Sequence, residues 1–413
     1  MNYRFLACAV ALTICAKHAF CSANDWPQWR GPDRTGVSKE TGLLQSWPEG
    51  GPKRLWVYEK GGSGYSGPAI VGGKLFTMGT RDGAEVLLCL DANTGQELWV
   101  APIGGIRPDN RGDGPRGTPT VDGDRLYAMS GEGLLACANV SDGKILWKQS
   151  MSDLGGQVPR WGFSESVLID GDKVVCTPGG SKGAVAALDK KTGKLLWQSV
   201  EFTDGAHYSS IVPADVNGTR QLIQRSERSV VGISAKDGKV LWKTSFPGRT
   251  AVVPTPIYRD GHVYVAAGYG AGCKMIKIGP GNEVSTVYEN ALMKNHHGGV
   301  VLVGDHIYGH ADPGWLCQNF LTGEEVWNSR AFGKGAVTSA GGMLYCLEES
   351  SGTVVLAEAS PKAWQEHGRF KLAPQTKIRS SRGAIWTHPV ISNGKLYLRD
   401  QDLIHCYDVK KGA

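Results

Sequence analysis

Short apolar stretches alternate with turn residues along nearly the whole chain, a spacing that suits strands and leaves little room for long helices. Pro68-Ala-Ile-Val-Gly-Gly-Lys-Leu-Phe76 is an apolar run, a two-residue turn and a second apolar run. The same form returns at Pro119–Tyr127, Pro256–Tyr264 and Pro389–Tyr397. The Gly-Gly, Asp-Gly and Asn-Gly pairs at its centre predict tight hairpins, because glycine and asparagine tolerate the positive φ such turns need.

Each hairpin is followed by another apolar stretch and then by a polar turn of fixed form, Asp, three residues, Gly, two residues, Leu-Trp. Copies run from Asp91 through Gly95 to Trp99, from Asn139 through Gly143 to Trp147, and from Asp189 through Gly193 to Trp197. Two more run from Ser234 through Gly238 to Trp242 and from Asn319 through Gly323 to Trp327. Weaker copies begin at Lys277, Glu358 and Asp408. The anchors lie 39 to 50 residues apart and define eight units. Each unit reads as strand, tight turn, strand, strand, polar turn, strand, which is the signature of a four-stranded propeller blade. The Asp is expected to accept hydrogen bonds from its turn and the Gly to hold the left-handed position. The Trp, ending the outermost strand, is expected to dock between blades.

The last unit stops at Gly412, before its Leu-Trp strand, and an orphan copy of that strand, Arg54-Leu55-Trp56-Val57, precedes the first blade. The expected fold is therefore all-β: an eight-bladed propeller over residues 54–413, closed by an N-terminal strand that completes the last blade and leaves no broad open edge. Residues 1–23 read as a cleavable signal peptide, with Arg4, an apolar run over Phe5–Ala16 and small residues Cys21-Ser22-Ala23. The expected location is periplasmic or secreted. Residues 24–53 form a lead-in with Trp26, Trp29 and Trp47, expected to pack under or across the ring.

Charge and cysteine usage narrow the partners. Removing residues 1–23 takes Arg4 and Lys17 and no acid, which lowers the formal charge from +6 to +4. No basic block stands out, which argues against nucleic acid. No later segment is apolar enough to cross a membrane, and a monomer is expected. Cys89, Cys137, Cys317 and Cys406 each sit two residues before a turn anchor, where the third unit has Ala187. A thiol that substitutes for alanine reads as a buried core residue, so neither a disulfide framework nor a cysteine metal site is expected.

The Ala/Cys-x-Asp-x-x-Thr-Gly-x-x-Leu-Trp pattern resembles the PQQ-type repeat over nearly all of residues 54–412. That repeat occurs in quinoprotein alcohol dehydrogenases and in non-enzymatic propellers such as the lipoprotein of the outer-membrane β-barrel assembly machinery. The opening Asp25–Gly36 resembles the lead-in of secreted PQQ-like repeat proteins of planctomycete-type bacteria. The resemblance speaks to fold more than to function. The enzymes it implies are longer, often carry a vicinal Cys-Cys against the quinone, and hold calcium with Glu, Asn and Asp beside a catalytic Asp. None of these transfers residue by residue to this chain, and a C-x-x-C-H haem motif is absent. Phe20, where the lipoprotein needs a small residue before its cysteine, departs from that relative as well.

Blade topology places the segment before each first strand at one mouth of the ring. Those segments carry Tyr65 and Ser66; Arg116; Trp161, Phe163, Ser164 and Glu165; His207 and Tyr208; Arg249; Asn295, His296 and His297; Lys334; and Arg382, Trp386 and His388. Arginines suit carboxylate or phosphate groups and flat rings suit stacking, so the expected ligand is small and anionic or planar, or else a protein partner. Adjacent histidines on a strand point to opposite faces, so His296-His297 is read as a poor chelate and no metal site is assigned. Arg111-Gly112-Asp113 reads as a turn. The leading function is a non-catalytic binding or scaffold propeller. A PQQ- and calcium-dependent oxidoreductase and a polysaccharide-binding or -degrading protein remain as alternatives.

Overall fold

The computed structural model describes residues 23–412, so most of the expected signal peptide lies outside the described residues. Eight antiparallel sheets follow one another around a ring. Blades 1 to 8 have their innermost strands at Ala69–Val71, Thr120–Asp122, Leu168–Asp170, Val212–Val216, Ile257–Arg259, Val300–Val303, Gly335–Ala340 and Val390–Ser392. In blades 1 to 7 the next three strands follow in chain order from the channel outward. Blade 8 supplies only three strands of its own, and Arg54–Tyr58 pairs antiparallel with Leu403–Asp408 as its fourth, Trp56 opposite Cys406. The ring is thus closed by the N-terminal strand. Among the described residues no helix is long and apolar enough to cross a membrane.

The repeated turn works through its side chain. Asp91 Oδ1 accepts from the backbone NH groups of Asn93 and Thr94, both at 2.9 Å, and from Thr94 Oγ1 at 3.0 Å. Asp189 repeats this with Lys191 and Thr192. The tryptophan stands early in the fourth strand rather than at its end: Trp99 is the third residue of Glu97–Gly105. A bulge just before it turns the ring sideways onto the next blade. There Trp99 covers the turn glycine Gly143, and a Cβ built on Gly143 would lie 2.5 Å from the indole. Trp99 Nε1 donates to Val140 O of the same turn at 3.1 Å. Trp56 meets Gly95 and Trp147 meets Gly193 in the same way, with indole donors to Ala92 O and Lys190 O.

Cross-strand register explains the cysteines. Cys89 stands between Phe76 and Trp99, Cys137 between Tyr127 and Trp147, Cys317 between Tyr308 and Trp327, and Cys406 between Tyr397 and Trp56. In each case the two flanking rings close to 6.0 Å, and only a small side chain fits beneath them. All seven described cysteines are free and buried.

Where the repeat weakens, the lock changes. Blade 5 carries Lys277-Ile-Gly-Pro-Gly281 in place of the polar turn. Trp242 of blade 4 folds back over its own sheet, with Nε1 donating to Gln221 at 2.8 Å and Gly232 leaving room beneath it.

The lead-in enters the ring from the face that carries the first hairpin turns. Asp25 accepts from Gly72 N at 3.2 Å, and Trp26 exchanges two 2.8 Å backbone hydrogen bonds with Ile70 of blade 1. Pro27 O accepts from Val121 of blade 2. Arg34 donates to Ser166 O and Val167 O at blade 3, and Arg30 to Val300 O of blade 6. Val37–Ser38 then adds a short parallel strand to the channel edge of blade 7. Residues 26–38 therefore lie across the central channel and close it from one side.

Candidate functional site

The opposite mouth of the channel is a pocket whose floor is this lead-in. It encloses about 850 Å³, open mouth included. Trp29 forms part of the floor, with Nε1 donating to Thr255 Oγ1 at 3.0 Å and its ring edge-on to His388 at 4.7 Å. The loops preceding seven of the eight blades contribute the walls. Of the residues expected at this mouth, Tyr65, Arg116, Trp161, Ser164, Tyr208, His297, Trp386 and His388 line the pocket.

Others from that set lie elsewhere. Glu165 turns away from its pocket-lining neighbours Ser164 and Ser166 and accepts from Thr177 N at 2.6 Å and Thr177 Oγ1 at 3.0 Å. Burial pushes its carboxyl up to about 7 despite those bonds and the nearby Arg34 charge. His207 lies in an adjoining cleft beside Glu227, 3.8 Å away. Arg249 and Arg382 are exposed outside the pocket, and Phe163 packs in the core between blades 2 and 3. Ser66 and Asn295 are buried in hydrogen-bond networks. His296 and Lys334 stand behind the wall.

Five of the pocket rings form a continuous chain across the mouth. Tyr65 meets Trp386 at 5.0 Å, and Trp386 stacks on His297 at 4.5 Å and 23°. His297 meets Tyr208 at 5.9 Å, which meets Trp161 at 5.9 Å. Arg116 lies 5.6 Å from the Tyr65 centroid and 3.6 Å from Asp109, both charged side chains nearly buried. Burial pushes the Tyr65 hydroxyl up to about 12, even with Arg116 beside it. Burial, then the neighbouring Arg30, holds the His388 imidazole down at about 3, and His297 is held well below its ordinary value by burial and by His296 and Lys334. Both rings are neutral at pH 7.

Sequence reasoning missed Trp29, Arg111 and Tyr269. Arg111 does sit in a turn, as expected, and that turn aims it into the pocket, where among the described residues it makes no ion pair. Tyr269 comes from the loop between the second and third strands of blade 5, a class of loop the topology argument did not consider. His296 and His297 stand in a loop before blade 6 rather than on a strand, so they do not point to opposite faces: their Nδ1 atoms are 2.8 Å apart.

The chain is similar to outer membrane protein assembly factor BamB of Burkholderia pseudomallei, 27% identical over 43% of this chain and 45% of that protein. It is similar to a comparable degree to tetrathionate hydrolase of Acidithiobacillus ferrooxidans, 26% identical over 52% of this chain and 44% of that one. The matched stretch thus spans about half the length of these curated relatives. Among solved structures, quinohemoprotein alcohol dehydrogenase of Comamonas testosteroni shares the fold with a TM-score of 0.65 at 12% identity, covering 94% of this chain and 81% of that one. A family model described as outer membrane protein assembly factor BamB matches residues 82–329. The chain belongs to this BamB family of PQQ-type repeat β-propellers.

Proposed function

We propose that this protein is a non-catalytic binding propeller of the periplasm or cell exterior, and that its mouth takes a flat, anionic, ring-shaped molecule. The observation that carries this reading is the blind pocket itself: stacked aromatic walls, two arginines, and a tryptophan floor built from the lead-in. Its walls suit a planar group held face-on, and Arg111 and Arg116 suit a carboxylate or phosphate at its edge. The name of the matched family, an assembly factor, supports a binding role, whereas one relative of equal similarity is named as a hydrolase.

The oxidoreductase alternative requires a calcium–quinone centre. Calcium takes six to eight oxygen ligands, commonly with carboxylates among them. The pocket walls offer the hydroxyls of Ser164, Ser166, Ser210, Thr250 and Thr387 and of three tyrosines, and among the described residues no carboxylate lines them. Asp109 is engaged by Arg116, and Glu349 stands behind the Trp386 wall rather than in the pocket. The residues present do not fit that pair, and no oxidation step follows from them.

Calorimetric titration with pyrroloquinoline quinone, used here as a flat tricarboxylate probe, tests the reading. We expect saturable binding of one equivalent, weakened at least about tenfold by Trp386→Ala and by Arg116→Ala. Binding should not require calcium, and no dye acceptor should be reduced when an alcohol is added. Absence of binding contradicts the proposal. Calcium-dependent binding with dye reduction would move the chain to the dehydrogenases.

A further inference from the structure

Behind the Trp386 wall, three potential metal donors converge. His296 and His297 precede the first strand of blade 6, and Glu349 follows the second strand of blade 7. One nitrogen from each imidazole and one carboxylate oxygen all lie within 4.8 Å of one another. The Lys334 ammonium stands among them, 2.9 Å from His296 Nδ1 and 3.2 Å from Glu349 Oε1. The other carboxylate oxygen accepts from Trp386 Nε1 at 3.1 Å.

Hydrogen bonding alone leaves this cluster over-subscribed. A neutral imidazole nitrogen without a proton has one lone pair. His296 Nδ1 is approached by two groups, His297 Nδ1 at 2.8 Å and Lys334 Nζ at 2.9 Å, and it can serve only one of them well. A metal ion at the centre would use both lone pairs and the carboxylate at once. Zinc–nitrogen bonds of about 2.0–2.1 Å put neighbouring donors roughly 2.8–3.4 Å apart, so the two histidines already stand near the required separation. Donors standing at the 4.8 Å limit of the cluster would close by about 1.4 Å or more on binding.

Further features support a built site. Tyr269 Oη bonds His296 Nε2 at 2.5 Å, fixing the ring through its other nitrogen in the manner of outer-shell partners of metal-bound histidines. Tyr269 does this from a φ of 56°, an uncommon conformation for a bulky residue. Lys334 is 35% exposed and has a path to solvent.

We propose that His296, His297 and Glu349 form a site for a divalent ion of the zinc class, and that Lys334 is the resident cation which the metal displaces. Imidazole and carboxylate donors suit such ions. Three protein ligands leave a position open, and His297 belongs to the pocket wall, so an anion bound there lies beside the metal.

The test is titration of the untagged protein with Zn²⁺ by calorimetry, and with Co²⁺ as a visible-absorbing probe. One ion per chain is expected, with ligand-field bands for cobalt. His296→Ala and Glu349→Gln should each weaken binding at least about tenfold. Lys334→Met, which removes the competing ammonium, should tighten it severalfold, a response that simple loss of structure does not give. Circular dichroism and melting curves identify any variant that fails to fold. No stoichiometric binding by wild type and Lys334→Met overturns the proposal. So does unchanged affinity in both ligand variants, or weaker binding in a folded Lys334→Met. No anion is present in this titration, so its failure leaves the pocket reading intact.

Discussion

Glu165 illustrates what one residue can do inside a channel. Its side chain is buried, and the main opposing influences are the Thr177 donors and the charge of Arg34. With the carboxyl raised from 4.5 to about 7 by burial, the folded state holds a proton that the unfolded chain has already released. Stability is therefore greatest below pH 4.5 as far as this group is concerned, and falls as pH rises through 7. The size of the effect is about 3 kcal/mol at most. Glu165→Gln should remove this component, so urea unfolding of wild type and variant should diverge between pH 4.5 and 7; parallel curves would contradict the assignment. The sequence located the segment but not the direction of its side chains. In the extended stretch Ser164-Glu165-Ser166 the alternate residues line the pocket and Glu165 faces away. His207 and Tyr208 divide in the same manner between two cavities, Tyr208 reaching both.

Among elements, the contact between a tryptophan and the turn glycine of the next blade is the recurring unit of cohesion. It needs both a left-handed backbone and open space above the glycine. Gly143, at φ +73°, lies against Trp99, whereas Gly218, at φ +77°, has nothing within 4 Å of its would-be Cβ. Gly218→Ala should cost about 1 kcal/mol through backbone strain alone. Gly143→Ala should cost a further 1–3 kcal/mol, roughly, because the methyl meets the indole. Equal losses in denaturant midpoint would show that the indole yields freely. This level was readable in the sequence because its requirements are local: a capping Asp, a left-handed Gly and a small residue two positions earlier recur together. Trp242 departs from the pattern for the same reason, since the blade it would dock on lacks the turn.

For the whole molecule, two long-range events shape the pocket. The strand Arg54–Tyr58 closes the ring, and this was legible because an orphan copy of the motif stood where the last blade lacked one. The path of the lead-in was not legible in detail. Arg30 and Arg34 find carbonyls 270 and 132 residues away, and nothing local in the sequence names those partners. Trp29 reaches the pocket floor as a consequence, which is why it was absent from a site predicted from the mouth loops alone. The lead-in thus makes a pocket out of a channel. The most direct test is calorimetric titration of pyrroloquinoline quinone into Trp29→Ala beside wild type, with melting curves to show that the ring is intact. A folded variant that binds at least about tenfold more weakly is the predicted result. Equal affinity in the two proteins would contradict a floor built by Trp29.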